Sequence, residues 1–111
     1  KAWKYSTGAG VTVGLIDIDS FKAYNDEHGH IAGDAALVAL VDAWRGELRA
    51  SDILARYGGD EFALVLPGTR REDADELAER LAASNELPWT VGFVEWSPQE
   101  DLYAALGRNY R

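Results

Sequence analysis

The stretch that decides the fold is Ile53-Leu-Ala-Arg-Tyr-Gly-Gly-Asp-Glu-Phe-Ala-Leu-Val-Leu66. Its two flanks, residues 53–57 and 62–66, are apolar and partly β-branched, which is typical of strands. Between them, Gly58-Gly59-Asp60-Glu61 predicts a tight hairpin turn, because adjacent glycines are favoured in such turns. The stretch therefore predicts two neighbouring antiparallel strands with two carboxylates at the tip that joins them.

A further strand is predicted upstream, at Val11-Thr-Val-Gly-Leu-Ile16. This short apolar run suits a buried central strand. Asp17 closes the run, and Asp19 or Ser20 is well placed to cap a helix that starts at Phe21. If this strand lies beside the hairpin, Asp17 comes close to the two hairpin carboxylates at one end of the sheet.

The remaining pattern completes a single domain over residues 1–111. His28-Gly-His30 interrupts the helix that starts at Phe21. The later predicted elements are helices over 32–48 and 71–83, a strand over 89–96 and a last helix from 98 toward 106. The four tryptophans are interpreted as packing residues. The order β-α-α-β-β-α-β-α predicts an α/β fold, an α+β sandwich of ferredoxin-like type with helices packed around a central antiparallel hairpin.

Composition excludes several classes of function. The 111 residues include 19 acidic and 11 basic side chains, which give a net charge of −8. This charge balance disfavours nonspecific binding to nucleic acid, because its phosphates require a cationic surface on the protein. The chain has no cysteine, which excludes disulfides, thiolate zinc sites and a cysteine nucleophile. No apolar run approaches the roughly 20 residues that span a bilayer, so we expect no membrane contact within the domain.

The predicted cluster of acidic residues suits a hard cation. Carboxylates from Asp17, Asp60 and Glu61, with a backbone carbonyl such as that of Ile18, offer the oxygen ligands that Mg²⁺ requires. Two such ions could activate a hydroxyl group and steady a pyrophosphate leaving group. The hairpin glycines would let a phosphate or sugar approach the backbone closely. Taken singly, an acidic strand end and a glycine turn are also common structural features.

Three sequence blocks carry a resemblance to a known family. They are Asp17-Ile-Asp-Ser-Phe-Lys-Ala-Tyr-Asn25, Gly29-His-Ile-Ala-Gly-Asp34 and Arg56-Tyr-Gly-Gly-Asp-Glu-Phe62. With their spacing, they resemble the GGDEF, or diguanylate cyclase, family over residues 11–68. The resemblance implies a palm-type sheet like that of nucleotidyl cyclases. It also implies condensation of two GTP molecules into cyclic di-GMP and two pyrophosphates, with Mg²⁺ or Mn²⁺, across a transient homodimer.

The resemblance also implies roles for the catalytic residues. Asp17 and the Ile18 carbonyl would bind the metal. Asp60 would bind metal and help deprotonate the attacking 3′-hydroxyl, and Glu61 would support the metal. Lys22 would neutralise phosphate charge, although it could equally be a solvated helix residue.

Substrate recognition is implied for a second set of residues. Asn25 and Asp34 would bind the guanine edge, or they could be ordinary helix caps. A carboxylate such as Asp34 can accept hydrogen bonds from N1–H and the amino group of guanine, a donor pair that adenine lacks. Gly58, Gly59 and Arg108 would contact the rest of the nucleotide.

The Arg49-Ala-Ser-Asp52 stretch resembles the RxxD product-inhibition site of the same family. There the arginine would bind a phosphate or guanine of cyclic di-GMP, and the aspartate would pair with its guanine. The planar fork of arginine is suited to such contacts. The alternative is an exposed charged turn at the end of a helix.

The sequence departs from the family pattern near both ends. The family's upstream helix signature has no match here, and we expect both ends to be shortened relative to the family. Ala104 stands where the family has a phosphate-binding lysine, and Gly92 stands where it tends to have serine. Three hypotheses therefore stay open: an active cyclase, a weak or inactive domain that binds GTP or cyclic di-GMP, or a small domain kept for its fold alone. We expect an upstream sensory domain in a longer protein and a cytoplasmic location, with the whole protein free or membrane-anchored.

Overall fold

The computed structural model describes residues 10–96 as three helices and four strands. Their order is β1 Val11–Ile18, α1 Phe21–His28, α2 His30–Arg45, β2 Ile53–Arg56, β3 Glu61–Pro67, α3 Arg71–Ser84 and β4 Trp89–Trp96. This order confirms the predicted succession up to the last strand. The predicted final helix and Arg108 lie outside the described residues.

The four strands form one sheet in the order β2-β3-β1-β4. Each neighbouring pair is antiparallel. The fold is therefore the α+β type with a ferredoxin-like strand order, as predicted. Because β1 lies directly beside β3, the C-terminal end of β1 meets the start of β3 at the hairpin tip.

The main core lies between one face of the sheet and the three helices. Trp44 of α2 is fully buried at its centre and makes edge-on ring contacts with Phe62 and Trp89, at centroid distances of 5.8 and 5.3 Å. Its packing role was predicted. The other buried members of this core are Ile16, Ile18, Phe21, Leu37, Leu40, Leu64, Leu66, Ala74, Leu77, Leu81 and Phe93. Since Ile16 and Ile18 point into this core, the intervening Asp17 points to the opposite face of the sheet.

Two elements have boundaries that differ from the prediction by two residues or more. Strand β1 continues two residues past Ile16, because Asp17 and Ile18 still pair with β4. Helix α2 covers His30–Arg45 instead of 32–48. At the C-terminal end of α2, backbone hydrogen bonds join residues three apart instead of four. The Glu47 amide donates to the Trp44 carbonyl, and the Leu48 amide donates to the Arg45 carbonyl. Such short bonds end an α-helix and lead the chain into the next turn.

The predicted cap of α1 is wrong, although the helix does begin at Phe21. Ser20 has φ 54° and ψ 31°, in the left-handed region, and its side chain makes no capping bond. A capping residue normally has an extended backbone that aims its oxygen at the first turn. Asp19 is engaged elsewhere, because its carboxylate accepts a 2.9 Å hydrogen bond from the Thr90 hydroxyl of β4.

Gly29 alone separates α1 from α2. Its φ of 91° is a conformation that L side chains rarely adopt, which explains the break predicted at this glycine. Within residues 10–96, none of the helices has the length and apolar character that crossing a membrane requires.

Candidate functional site

The acidic residues at the hairpin tip meet the end of β1. Asp17 is the direct cross-strand partner of Glu61. One residue further, the Ile18 amide donates a 2.9 Å hydrogen bond to the carbonyl oxygen of Asp60. Directly opposed side chains lie on the same face of an antiparallel pair, so the Asp17 and Glu61 carboxylates are neighbours. The arrangement matches the convergence expected from neighbouring strands.

The hairpin tip brings the negative charges of Asp17, Asp60 and Glu61 close together. Desolvation raises the pKa of Glu61, and the negative charges of Asp17 and Asp60 raise it further, as does a side-chain hydrogen bond with Asp17. Each of these effects disfavours a charged Glu61. A cation placed between the carboxylates would reverse this effect, because opposite charge favours the ionised form.

The absence of a side chain has a different structural consequence at each of the two hairpin glycines. Neither Gly58 nor Gly59 has a positive φ, so the turn does not depend on the left-handed backbone that usually favours glycine. At Gly58 an added Cβ would overlap the Glu61 carboxylate and lie 3.2 Å from the Glu61 Cβ. At Gly59 an added Cβ would have nothing within 4 Å. The first glycine therefore makes room for Glu61, whereas the second leaves the tip of the loop open.

Arg56, the last residue of β2, folds its side chain over the turn. Its Nε donates to the carbonyls of Gly58 and Gly59, each at 3.1 Å, and its Nη2 donates to the Gly59 carbonyl at 2.6 Å. This arginine belongs to the hairpin motif, and no role was predicted for it. The available signal was a guanidinium two residues before a loop whose carbonyls lack strand partners.

Asn25 and Asp34 flank the junction of α1 and α2. A Cβ on Gly33 would overlap the Asn25 carboxamide oxygen, so the Asn25 side chain lies directly on the Gly33 backbone. That Oδ1 atom is buried and has no hydrogen-bond partner. Asp34 follows Gly33 and is exposed. Gly33 thus lets α1 and α2 approach closely and places the two predicted guanine-binding side chains at one junction.

Lys22 does not join the acidic tip. Its ammonium group lies 3.4 Å from Asp26, one helical turn along α1, and its side chain is 90% exposed. This pairing is an ordinary surface interaction between residues four apart. Its predicted role toward phosphates stays a prediction.

The Arg49-Asp52 turn is closed on itself. The Asp52 carboxylate is 3% exposed and accepts bonds from both the Arg49 amide, at 2.8 Å, and the Arg49 Nη2, at 2.8 Å. The same Nη2 donates to the Pro67 carbonyl at 2.9 Å and to the Thr69 hydroxyl at 2.7 Å. The hydrogen bond and charge of Asp52 raise the pKa of Arg49. Sequence reasoning missed Thr69, because it lies 20 residues away and only the folded chain brings it here.

Two hollows lie beside this turn. One of about 220 Å³ is lined by Thr69, Asp73 and Arg80 among others, and one of about 430 Å³ is lined by Arg45, Leu48 and Leu54 among others. Arg49 and Arg80 both line the smaller hollow, and each already has an acidic partner. Arg49 pairs with Asp52, and Arg80 lies 3.3 Å from Glu47. An anionic ligand here would have to compete for the Arg49 guanidinium.

These features define a class of protein. It is an α+β domain in which the carboxylates of a central hairpin lie beside an aspartate near the end of β1. The family model described as "Diguanylate cyclase, GGDEF domain" matches residues 1–93. The chain belongs to this GGDEF family, as its sequence motifs predicted.

Named diguanylate cyclases are among its relatives. The chain is 41% identical over 83 residues to the diguanylate cyclase DgcP of Pseudomonas aeruginosa, covering 75% of this chain and 12% of that protein. It is 47% identical over 105 residues to TpbB of the same species, covering 83% and 24%. The chain thus spans a quarter or less of the length of these relatives.

Solved structures agree with the fold. The GGDEF domain of PA1120 (YfiN or TpbB) from Pseudomonas aeruginosa has a TM-score of 0.78 at 37% identity, over 90% of this chain and 70% of that one. The GGDEF domain of DgcB from Caulobacter crescentus, solved in complex with c-di-GMP, has a TM-score of 0.79 at 25% identity, over 94% and 70%.

Proposed function

We propose that this chain, a single domain over residues 1–111, is a diguanylate cyclase that condenses two GTP molecules into cyclic di-GMP and two pyrophosphates. The observation that carries the proposal is the pairing of Asp17 with Glu61 across β1 and β3, with Asp60 at the same tip. Such crowding of negative charge is unfavourable unless a cation is bound. The similarity to named diguanylate cyclases supports the same reaction.

The acidic tip fits a divalent cation by the chemistry of its donors. Carboxylate and carbonyl oxygens from Asp17, Glu61, Asp60 and Ile18 are the ligands that Mg²⁺ or Mn²⁺ accepts. Over residues 10–96, no three histidine or acidic side chains are close enough together to hold an ion by themselves. Mg²⁺ commonly takes only one or two carboxylates and completes its shell with water and phosphate oxygens. When bound, the metal would lower the pKa of the attacking hydroxyl and stabilise charge on the phosphates.

The chain's own residues position the reacting groups. The 3′-hydroxyl oxygen of one GTP forms a bond to the α-phosphorus of the other, and the bond from that phosphorus to pyrophosphate breaks. Asp60 is proposed to accept the hydroxyl proton. Repeating the step in the other direction closes the ring and releases the second pyrophosphate. Gly58 and Gly59 leave space for the nucleotide to approach, and Lys22 and Arg108 are proposed to contact its phosphates.

Guanine is proposed to bind at the α1–α2 junction. The half-buried Asn25 carboxamide and the exposed Asp34 carboxylate lie at this junction, and the carboxylate supplies two acceptor oxygens. Asp34→Ala is expected to reduce the preference for GTP over ATP, as measured by competitive binding of the two nucleotides. Equal binding of both by the unaltered chain would contradict this part of the proposal.

Two copies must meet for the reaction, since each copy offers one acidic tip and the product contains two guanosines. The encounter would bring two half-sites face to face, which is catalysis by positioning. A second candidate function follows from the altered phosphate-binding pattern at Gly92 and Ala104. In that case the domain binds GTP or cyclic di-GMP and transmits a signal with little or no turnover.

The deciding experiment incubates the chain with GTP and Mg²⁺ and measures cyclic di-GMP and pyrophosphate. Product whose rate per molecule rises with protein concentration supports the cyclase and its transient dimer. Metal-dependent GTP binding without product supports the binding module. Equal GTP affinity in excess chelator would overturn both, because the acidic tip requires a cation to face a triphosphate.

A further inference from the structure

We propose that Arg56 is a positioning residue that holds the Gly58–Gly59 turn in the shape needed to keep Asp60 and Glu61 beside Asp17. The inference rests on the proposed function for its consequence in metal binding. Its structural part stands on the hydrogen bonds of Arg56 alone.

The contacts of Arg56 fix two successive peptide groups. The Gly58 carbonyl belongs to the peptide that joins Gly58 to Gly59, and the Gly59 carbonyl belongs to the peptide that joins Gly59 to Asp60. Both carbonyls accept from Arg56, at 2.6 to 3.1 Å. Because a peptide group is planar, fixing its carbonyl also fixes its amide. The two peptide planes that lead into Asp60 are therefore held by one side chain.

The turn needs support at the Gly58–Gly59 and Gly59–Asp60 peptides, because within residues 10–96 its other observed backbone hydrogen bonds lie at its base and at the Asp60 carbonyl, which accepts from the Ile18 amide. The amides of Tyr57 and Gly58 both donate to the Glu61 carbonyl, at 3.0 and 3.4 Å, which closes the base of the hairpin. At the tip, a Cβ on Gly59 would meet nothing within 4 Å. Glycines carry more backbone freedom than other residues. The repulsion between the directly opposed carboxylates of Asp17 and Glu61 also opposes a compact turn.

The geometry requires arginine rather than any cation. Two nitrogens of one planar fork donate to two carbonyls at once, which an ammonium group on a flexible stem does not reproduce. The same bonds direct the guanidinium toward the loop backbone. Arg56 therefore acts through the turn, since within residues 10–96 its observed side-chain hydrogen bonds go to the Gly58 and Gly59 carbonyls and no ion pair with Asp17 or Glu61 is observed.

The test compares Arg56→Lys and Arg56→Ala with Arg70→Ala, a control that removes an exposed arginine whose side chain makes no observed hydrogen bond or ion pair within residues 10–96. Backbone amide relaxation and hydrogen exchange at Gly58, Gly59 and Asp60 report the order of the turn. Titration with Mn²⁺ alone reports the acidic tip without requiring turnover. We expect both Arg56 variants to loosen the turn and to weaken Mn²⁺ binding by about tenfold, the scale on which outer-shell partners affect metal sites. The Arg70→Ala control should match the unaltered chain.

Three outcomes would overturn the proposal: an unchanged turn in Arg56→Ala, full retention of turn order and Mn²⁺ affinity in Arg56→Lys, or equal losses in Arg70→Ala. Retention in the lysine variant would mean that charge alone is sufficient. If the unaltered chain binds no Mn²⁺, the proposed function fails, and the order of the turn in the variants still decides the role of Arg56.

Discussion

The two ends of strand β2 handle charge in opposite ways. At its start, Asp52 is almost fully buried and is paired with Arg49, whose guanidinium also holds Pro67 and Thr69. Beyond its end, Asp60 and Glu61 lie beside Asp17, and desolvation together with the mutual repulsion raises the pKa of Glu61. The first end satisfies its charges within the chain. At the second end no ion pair with a cationic side chain is observed within residues 10–96, which is the condition expected of a site that binds a cation.

This difference separates a stabilising contact from a binding site even though both are acidic. Breaking a buried ion pair leaves an unpaired group and destabilises the fold. Removing one of several crowded like charges relieves repulsion and harms only the function that needed them. Substitutions at the two ends of β2 should therefore affect different measurements.

The largest effect is expected at the acidic tip. Asp60→Ala should lower cyclic di-GMP formation by about a hundredfold or more, because it removes the proposed base. The control is Asp42→Ala, which removes an exposed acid of α2 and changes net charge equally. The rate of product formation and the thermal unfolding midpoint are measured together. A normal rate in Asp60→Ala, or an equal loss in Asp42→Ala, would contradict the assignment.

The next effect concerns the product at the Arg49-Asp52 turn. Arg49→Ala should weaken cyclic di-GMP binding by about tenfold, the equivalent of one charge-assisted contact. The initial rate from GTP should stay nearly unchanged, because Arg49 lies at the other end of β2. Titration of cyclic di-GMP in the absence of GTP measures the affinity. Equal affinity in both proteins, or no binding by either, would contradict a product site here. Arg49 would then serve only in its contacts with Asp52, Pro67 and Thr69.

A smaller effect is expected on stability. Asp52→Ala should lower the free energy of unfolding by about 1–3 kcal/mol, because the Arg49 amide and guanidinium lose their shared acceptor. Asp52→Asn keeps an acceptor oxygen and should lose less. Urea unfolding of both variants measures the difference. A stability equal to that of the unaltered chain would show that this pair is too solvated to matter.

The smallest effect is a change in the pH dependence of stability. A carboxyl group whose folded pKa is raised binds its proton more tightly in the folded chain than in the unfolded chain. Its contribution is therefore fully present below the ordinary carboxyl pKa of 4.5 and is lost as the pH rises through the folded value. Glu61→Gln should remove this loss.

The test of this linkage is urea unfolding of the unaltered chain and Glu61→Gln at several pH values, without divalent metal. The difference in stability between the two proteins should shift in favour of Glu61→Gln as the pH rises above 4.5. A shift in the opposite direction would mean that the Glu61 charge is stabilised in the fold.

The sequence by itself determined the elements and their order, because apolar periodicity and turn residues are local signals. The hairpin around Gly58–Gly59 and the family were predicted from such signals, and the predicted boundaries were wrong by up to three residues. Local patterns could also place Asp17 and Glu61 at strand ends. They could not show that the two are direct cross-strand partners, because register depends on the pairing of β1 with β3.

Only the tertiary structure decided which charged residues are already paired. Asp19 or Ser20 was expected to cap α1, yet Thr90, 71 residues away, donates to the Asp19 carboxylate. Arg49 and Asp52 looked available for a ligand, yet Thr69 and the Pro67 carbonyl help to hold Arg49 in a closed pair. Arg56 was given no role, and its bonds to the Gly58 and Gly59 carbonyls became evident only in the folded turn. Whether a charged side chain is available to a ligand depends on long-range neighbours, which the spacing of residues along a chain does not reveal.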